Sequence, residues 1–327
     1  MSLIEQAANR LEQLRKAGVE IPDEVPAAIP PSEPPAVKST IQQAAEALPG
    51  SAVAQPAPRH QQVATAPRAG AKAVSIDLDL LGRGGFITPK APRAQIADEF
   101  RVIKRPLIAN ALGKGAAPVA NGNLIMITSA VPGEGKTFTA VNLAMSIAME
   151  LDTTVMLVDA DVANPSVFRV LGLPPGPGLL DVLVKDSLDL GEVLLRTNVD
   201  KLTLLPAGTQ HPRATELLAS DSMARLIEDM ARRYDDRIII FDSPPLLVTT
   251  EARALAAHMG QIVVVTRAER TLHGQVTHAL ATIENCPVKL MMLNQARPDP
   301  LGSYGYGYGY GYGYGYGEGQ GGRASGS

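Results

Sequence analysis

Short, uniformly apolar runs alternate along the chain with longer segments in which apolar residues recur at helical spacing. Buried apolar strands that alternate with helices are typical of a mostly parallel sheet covered on both faces. The pattern therefore predicts a doubly wound α/β domain. The predicted strands are LIMIT (124–128), VMLVD (155–159), LTLLP (202–206), IIIFD (238–242), QIVVVT (261–266) and VKLMMLN (288–294).

The region before this pattern has a different composition. A capping box at Ser2 and Glu5, followed by apolar residues on one face, predicts a short amphipathic helix over residues 1–18. This helix either lies on the surface or binds a partner. The proline-rich stretch that follows has few large apolar side chains and cannot bury enough surface to offset its ordering cost. We therefore expect a mostly disordered linker over residues 19–90.

The folded domain is expected over residues 91–297, and it begins with a helical pattern that Pro106 must end or kink. A tail in which tyrosine alternates with glycine occupies residues 298–327. Glycine at every second position offers no side chain to pack, so we expect this tail to be disordered. The tail is either an association element or a substrate. Its tyrosines are Tyr304, Tyr306, Tyr308, Tyr310, Tyr312, Tyr314 and Tyr316.

Composition and charge narrow the functional classes. The chain has 327 residues, which suffice for one sizeable domain with flanks, and its formal net charge of −3 gives no reason to expect nucleic acid as a partner. Cys286 is the only cysteine, which excludes an intramolecular disulfide framework and fits a reducing compartment. No apolar run reaches the length of about 18 residues that spans a bilayer. We expect a cytoplasmic protein, held at a membrane, if at all, by another protein.

The first predicted strand leads into SAVPGEGKT (129–137), a glycine-rich loop at the start of a helix. Such a loop directs backbone N–H groups toward a phosphate chain, and the helix N-terminus adds its dipole. Lys136 is expected to reach the β- and γ-phosphates of a nucleotide, and the Thr137 hydroxyl to bind Mg²⁺. The sequence thus predicts a nucleotide-binding P-loop. Its expected nucleotide contacts are Val131, Pro132, Gly133, Glu134, Gly135, Lys136, Thr137 and Phe138.

Three aspartates follow predicted strands at the edge that carries the P-loop. Asp159 and Asp161 end VMLVDAD, and Asp242 ends IIIFD. One such residue could simply cap a helix, but Mg²⁺ prefers oxygen ligands and phosphoryl transfer needs an orienting carboxylate. We therefore expect a metal-binding and catalytic cluster. Asn294, at the end of the last strand, either contacts adenine or caps the strand end.

Together, SAVPGEGKT, DAD and IIIFDSPP resemble the Walker A, A′ and B motifs of the bacterial tyrosine kinases, P-loop proteins related to the MinD/ParA ATPases. The similarity covers residues 91–297. The stretches IDLDLLGRGGFITP and DEFRVIKRPLIANA are closer to the tyrosine autokinases that accompany exosortase (XrtA) exopolysaccharide loci. The resemblance implies a MinD/ParA-like fold and transfer of the γ-phosphate of ATP to tyrosine.

The resemblance also implies roles for individual residues. Asp159 is the catalytic carboxylate, Asp161 and Asp242 hold Mg²⁺ with Thr137, and Lys136 stabilises the transferred group. By this resemblance, the tail tyrosines are autophosphorylation sites. A tail of this kind suits phosphoryl transfer from one subunit of a ring to the tail of its neighbour. The implied partners are a separate transmembrane adaptor with an activating cytoplasmic segment and a cognate tyrosine phosphatase. The adaptor recruits the kinase to the inner face of the membrane, where it regulates exopolysaccharide polymerisation or export.

The sequence departs from the family pattern at two places. Ala163 stands where the A′ motif usually has a basic residue. The helix that lines the contact between neighbouring subunits in the family is represented by Asp98, Arg101 and Lys104, with lysine in place of an arginine. The alternative function is a MinD/ParA-like ATPase that positions a membrane or polysaccharide complex. Those ATPases have an additional loop lysine where this chain has Val131, which favours the kinase.

Overall fold

The computed structural model describes residues 72–91, 95–185, 187–234 and 236–296. The predicted N-terminal helix, most of the predicted linker and the tyrosine-rich tail lie outside the described residues. The strands are β1 (Lys72–Ala73), β2 (Leu124–Ser129), β3 (Thr154–Asp159), β4 (Leu195–Arg196), β5 (Leu202–Leu205), β6 (Arg237–Asp242), β7 (Gln261–Arg267) and β8 (Val288–Asn294). The helices are α1 (Leu78–Arg83), α2 (Gln95–Ala111), α3 (Lys136–Ala148), α4 (Val167–Val170), α5 (Leu179–Val184), α6 (Leu190–Val193), α7 (Ala214–Leu218), α8 (Asp221–Arg233), α9 (Glu251–Ala256) and α10 (His273–Ala281).

All eight strands form one sheet in the order β1-β4-β5-β3-β6-β2-β7-β8. Neighbouring strands are parallel except for the antiparallel pair of β4 and β5. The predicted fold class, a doubly wound and mostly parallel sheet, is confirmed. Since the carboxyl ends of parallel strands lie at one edge, the ends of β2, β3 and β6 meet there.

The uniformly apolar strands are explained by the two cores that the sheet separates. Leu124 and Met126 of β2 belong to one buried cluster, whereas Ile125 and Ile127 belong to the cluster on the opposite face. Both faces of the central strands are therefore buried, so their side chains are mostly apolar up to the polar residues at the strand ends. Among the described residues, no helix is both long and apolar enough to cross a membrane.

The folded part of the chain begins earlier than the sequence pattern indicated. Residues 72–90, which we assigned to the linker, pair β1 with β4 and contribute Ile76, Leu81 and Ile87 to the core. The Ile87 N–H donates to Asn142 Oδ1 over 2.7 Å, which attaches this segment to α3. Val74, Ile76, Leu78 and Leu80 alternate with polar residues at the period of a strand, yet Leu78–Arg83 is helical, so the tertiary contacts and not the local pattern show how this segment is ordered.

Pro106 does not end α2, which continues to Ala111. Phe100 and Leu107 of this helix are buried in the same core cluster as α3, and this packing offsets the backbone hydrogen bond that proline cannot donate.

Lys104 on α2 is placed differently from the expectation that it lines a subunit contact. Its side chain is buried, and Nζ donates to the Ser146 carbonyl oxygen over 2.6 Å and contacts Glu150 Oε1 at 2.6 Å. Asp98 and Arg101 are exposed and bond to each other. Their role in a subunit contact stays a prediction, but that of Lys104 is corrected because its ammonium group is occupied inside one chain.

Replacing Lys104 with methionine is expected to lower the free energy of unfolding by about 1–3 kcal/mol, because the buried Ser146 carbonyl loses its donor while the apolar volume is kept. The midpoint of denaturant unfolding measures this loss. Lys114→Met, at an exposed lysine, is the matched control and should leave the midpoint unchanged. Equal midpoints for Lys104→Met and Lys114→Met would contradict the structural role.

Candidate nucleotide site

The P-loop connects the end of β2 to the start of α3. Gly133 has φ of 81° and Gly135 has φ of 96°, both in the left-handed region that favours glycine. A Cβ atom on Gly135 would also lie 2.1 Å from Asn294 Nδ2. Both glycines are thus required by the backbone, and the loop they form leads directly into the N-terminus of α3, where backbone N–H groups are available to an anion.

A cleft of about 390 Å³ opens beside this loop. One side consists of P-loop residues and Asp161, and the other of the segment after β6. Its lining residues are Pro132, Gly133, Gly135, Lys136, Thr137, Phe138, Asp161, Ala163, Asn164, Ser166, Pro244, Pro245, Val248 and Thr249. The cleft lies at the edge of the sheet where ligands bind in open α/β folds.

Thr137 contacts both neighbouring strand-end segments. Its hydroxyl donates to Asp242 Oδ2 over 2.6 Å and shares a hydrogen bond with Ser166 Oγ at 2.8 Å. The first turn of α3 is thereby fixed against the end of β6 and the loop that precedes α4. This contact brings together two of the residues that the sequence predicted as metal ligands.

Asp159 and Asp242 end adjacent strands in matching register. Asp159 Oδ2 accepts a hydrogen bond from the Val167 N–H over 3.0 Å. The other oxygen of each carboxyl group, Oδ1, is buried and has no hydrogen-bond partner within the part of the chain that the structure describes. A buried carboxyl oxygen without a partner is costly, so the pair is arranged for a group that arrives from outside.

Burial and mutual repulsion disfavour ionisation of these carboxyl groups. Burial, with a further contribution from Asp242, raises the pKa of Asp159 to about 8. Burial raises the pKa of Asp242 to about 7, although the Thr137 hydrogen bond opposes the shift. Burial also raises the pKa of Asp161, against the attraction of Lys136. Strongly shifted carboxyl groups beside a cleft are typical of a functional site.

The donor set fits Mg²⁺ bound together with a nucleotide. Such sites use a hydroxyl and one or two carboxylates, and phosphate oxygens and water complete the shell. Thr137, Asp161 and Asp242 supply these groups. The described residues contain no cluster of three or more His, Cys, Asp or Glu side chains able to hold a metal ion alone. The orphaned oxygens of Asp159 and Asp242 support this fit, since a cation nearby would compensate their charge.

In nucleotide-free protein, Asp159→Asn is expected to raise stability relative to the original chain more at high pH than at low pH. The folded-state pKa of Asp159 is raised, so its favourable contribution is complete below about pH 4 and is lost as pH rises toward 8. Asparagine does not ionise and escapes this loss. Thermal unfolding in EDTA at about pH 5 and about pH 8.5 measures the difference. Asp152→Asn, at an exposed site, should show no such trend.

Three residues predicted to contact the nucleotide are not among those that line the cleft. Val131 packs against the core, and its N–H donates to Glu134 Oε2 over 2.9 Å. Glu134 is buried. Asn294 donates from Nδ2 to the Glu134 carbonyl oxygen over 2.8 Å, and its Oδ1 accepts from the Gln295 N–H over 2.9 Å. The side chains of these three residues support the loop from behind, and their contact with a nucleotide stays a prediction.

Sequence reasoning missed several cleft residues. Ser166 contacts Thr137, and the segment Pro244–Thr249 forms an apolar wall with Val248 exposed. The doubled proline after IIIFDS was the available signal, because proline directly after a strand favours a rigid extended loop. Ala163 also lines the cleft, so the position that usually carries a basic side chain does face the site.

A family model described as an AAA domain matches residues 122–292, which is more than half of the chain. The matched range contains the P-loop and all three aspartates.

Proteins with known names share this region. Tyrosine-protein kinase YwqD of Bacillus subtilis (strain 168) is 35% identical over 183 residues, which make up 55% of this chain and 76% of YwqD. The putative tyrosine-protein kinase EpsB of Ralstonia nicotianae is 33% identical over 171 residues, which make up 52% of this chain but 22% of EpsB. The chain thus spans most of one relative and a minor part of the other. Among solved structures, the chimerical protein CapA2B2 has a TM-score of 0.56 and 25% identity, over 67% of this chain and 99% of that one.

Proposed function

Because the chain belongs to the AAA-domain family and, within it, to the bacterial tyrosine-protein kinases, we propose that it transfers the γ-phosphate of ATP to the tyrosines of its own C-terminal tail. The observation that carries the proposal is the pair of strand-end carboxyl groups, Asp159 and Asp242, which are buried beside the P-loop with one unpartnered oxygen each. Hydrolysis of ATP and transfer of its γ-phosphate both need such carboxyl groups. The seven tail tyrosines favour transfer, because they provide an acceptor for the phosphoryl group.

Each site residue has a role in this chemistry. A phenol is a poor nucleophile at its usual pKa of about 10, and Asp159 accepts or orients its proton. The shifted pKa of Asp159 keeps its carboxyl group close to the pH at which such proton transfer is efficient. Lys136 and the N–H groups at the start of α3 stabilise negative charge on the transferred phosphoryl group. Thr137, Asp161 and Asp242 would hold Mg²⁺, which would neutralise phosphate charge.

The tail suits delivery to a neighbouring subunit. A flexible glycine-rich chain spans about 5–6 Å times the square root of its length, so the ten residues from Asn294 to Tyr304 cover roughly 17 Å. Transfer between subunits of a homo-oligomer, with Asp98 and Arg101 at the contact, is part of the proposal. Each added phosphate carries about −1.5 to −2 charges, and their accumulation would weaken the association of the tails.

The biological setting follows from the resemblance rather than from the geometry. We propose that the kinase acts in the cytoplasm at the inner face of the membrane, where a separate transmembrane adaptor activates it, and that it regulates exopolysaccharide polymerisation or export. A cognate tyrosine phosphatase would reset the tail. The link to exosortase (XrtA) loci stays a prediction.

Intact-mass measurement after incubation with Mg-ATP tests the proposal. The full chain should gain a ladder of HPO₃ additions, and neither Lys136→Met nor a chain ending at Leu301 should gain them. The shortened chain keeps the whole described domain, so it should still bind ATP and phosphorylate an added tail peptide. Steady ADP release by the full chain without any gain in mass would reject the kinase and favour the MinD/ParA-like ATPase.

A further inference from the structure

One acidic side chain of the P-loop takes no part in the cleft. Glu134 is 1% exposed, and it is absent from the cleft lining although Gly133 and Gly135 on either side belong to it. Its carboxyl group points into the protein. A buried acidic group that forms no ion pair with a described residue and does not line the cleft calls for a different role.

The Glu134 carboxyl group connects two separate loops. Oε2 accepts a hydrogen bond from the Val131 N–H over 2.9 Å, within the P-loop itself. Oε1 accepts from the Thr271 hydroxyl and, over 3.3 Å, from the Arg267 N–H. Arg267 ends β7, and Thr271 lies in the connection between β7 and α10, at 133 and 137 residues further along the chain.

The backbone of the same residue is also held. Asn294 Nδ2 donates to the Glu134 carbonyl oxygen over 2.8 Å, so the ends of β7 and β8 both contact this one residue. The flanking glycines have left-handed backbones and the widest choice of conformations of any residue type. A loop with a glycine on each side of one anchored residue depends on that anchor for its shape.

We infer that Glu134 is a positioning residue for the nucleotide, which sets the P-loop amides in their binding arrangement through Thr271. The inference rests on the proposed ATP site, but it concerns binding and not phosphoryl transfer. Thr271 is not among the residues that line the cleft, and its hydroxyl donates to Glu134 and accepts from the Arg267 N–H. We therefore expect its hydroxyl to affect ATP affinity through the Glu134 carboxyl group.

Thr271→Val removes the hydroxyl and keeps the shape of the side chain. A hydrogen bond to a charged acceptor corresponds to a change of about tenfold or more in an equilibrium constant. We expect the dissociation constant for Mg²⁺ with a non-hydrolysable ATP analogue to rise about tenfold in Thr271→Val. Thr271→Ser retains the donor and should bind almost as the original chain does. Glu134→Gln should also weaken binding, and the double variant should lose less than the product of the single losses.

Calorimetric titration of the full chain provides these constants. Thr277→Val is the matched control, because Thr277 lies on α10 with its hydroxyl bonded to the His273 carbonyl, away from the P-loop. Thermal unfolding without nucleotide shows whether each variant is folded. In turnover assays, the KM for ATP should rise while kcat at saturating ATP changes little.

Two outcomes would overturn the inference: unchanged affinity in Thr271→Val, or Thr271→Ser binding as weakly as the valine variant. A chain that shows the predicted affinity pattern without phosphorylating its tail would reject the proposed function and leave this inference standing. A chain that phosphorylates its tail while all variants bind ATP equally would support the proposed function and reject this inference.

Discussion

Replacing Asp159 with asparagine is expected to lower the rate of tail phosphorylation about 10²- to 10⁴-fold while the protein continues to bind ATP. The carboxyl group is the one proposed to accept the phenol proton, and an amide cannot do so. Asparagine retains an oxygen for the Val167 N–H, so the loop before α4 keeps its attachment to β3. The decrease in rate should therefore appear in kcat and not in the affinity for ATP.

Phosphotyrosine formation measured over time at saturating Mg-ATP provides the rate, and calorimetry provides the affinity. Asp152→Asn is the control. Asp152 is exposed just before β3, so this variant has the same chemical change outside the site. If Asp159→Asn phosphorylated its tail within about threefold of the original rate, below the range for acid–base catalysis, the proposed role of this carboxyl group would be wrong.

Gly135→Ala is expected to reduce ATP affinity by at least about tenfold. A left-handed backbone costs a residue with a Cβ atom about 1–2 kcal/mol, and here the new atom would also lie 2.1 Å from Asn294 Nδ2. Relief of that contact requires a shift of the P-loop or of the end of β8. Either shift moves the amides that precede Lys136 away from their binding arrangement.

Three companion variants separate the two causes. Gly133→Ala has the left-handed backbone without a close neighbour, so its loss reports the strain alone. Gly176→Ala has neither feature and should bind ATP normally. Adding Asn294→Ala to Gly135→Ala removes the clash and should recover part of the affinity, which calorimetry measures. No recovery in that double variant would show that the clash is not what weakens binding.

The central sheet was predictable because its strands carry their own signal. Each predicted apolar run agrees with β2, β3, β5, β6, β7 or β8 to within a residue or so at either end. A strand buried on both faces needs apolar side chains throughout, whatever its neighbours are. The two-residue strands β1 and β4 have no such pattern, since their pairing depends on partners distant in sequence.

The parts of the site that lie within one short segment of the sequence were predictable, and the contacts between distant segments were less so. SAVPGEGKT and the strand-end aspartates identify the P-loop and the carboxyl groups because each lies within one connection between a strand and a helix. The contact of Glu134 with Thr271 and that of Lys104 with Glu150 join segments distant along the chain. A charged residue shows no sign in the sequence of whether its partner lies inside the protein or in solvent, so neither of these contacts was predicted.

The order of strands in the sheet affects how well free tyrosine peptides compete with the tail tyrosines for phosphorylation. β8 lies two strands from β2, and neighbouring strands are about 4.8 Å apart, so the tail is attached roughly 10 Å from the strand that leads into the P-loop. If the tail is the flexible tether that its sequence predicts, its tyrosines would be held near the site at an effective concentration in the millimolar range. Free tyrosine peptides should therefore slow tail phosphorylation only when they are added at about millimolar concentrations, as long as the subunits stay associated.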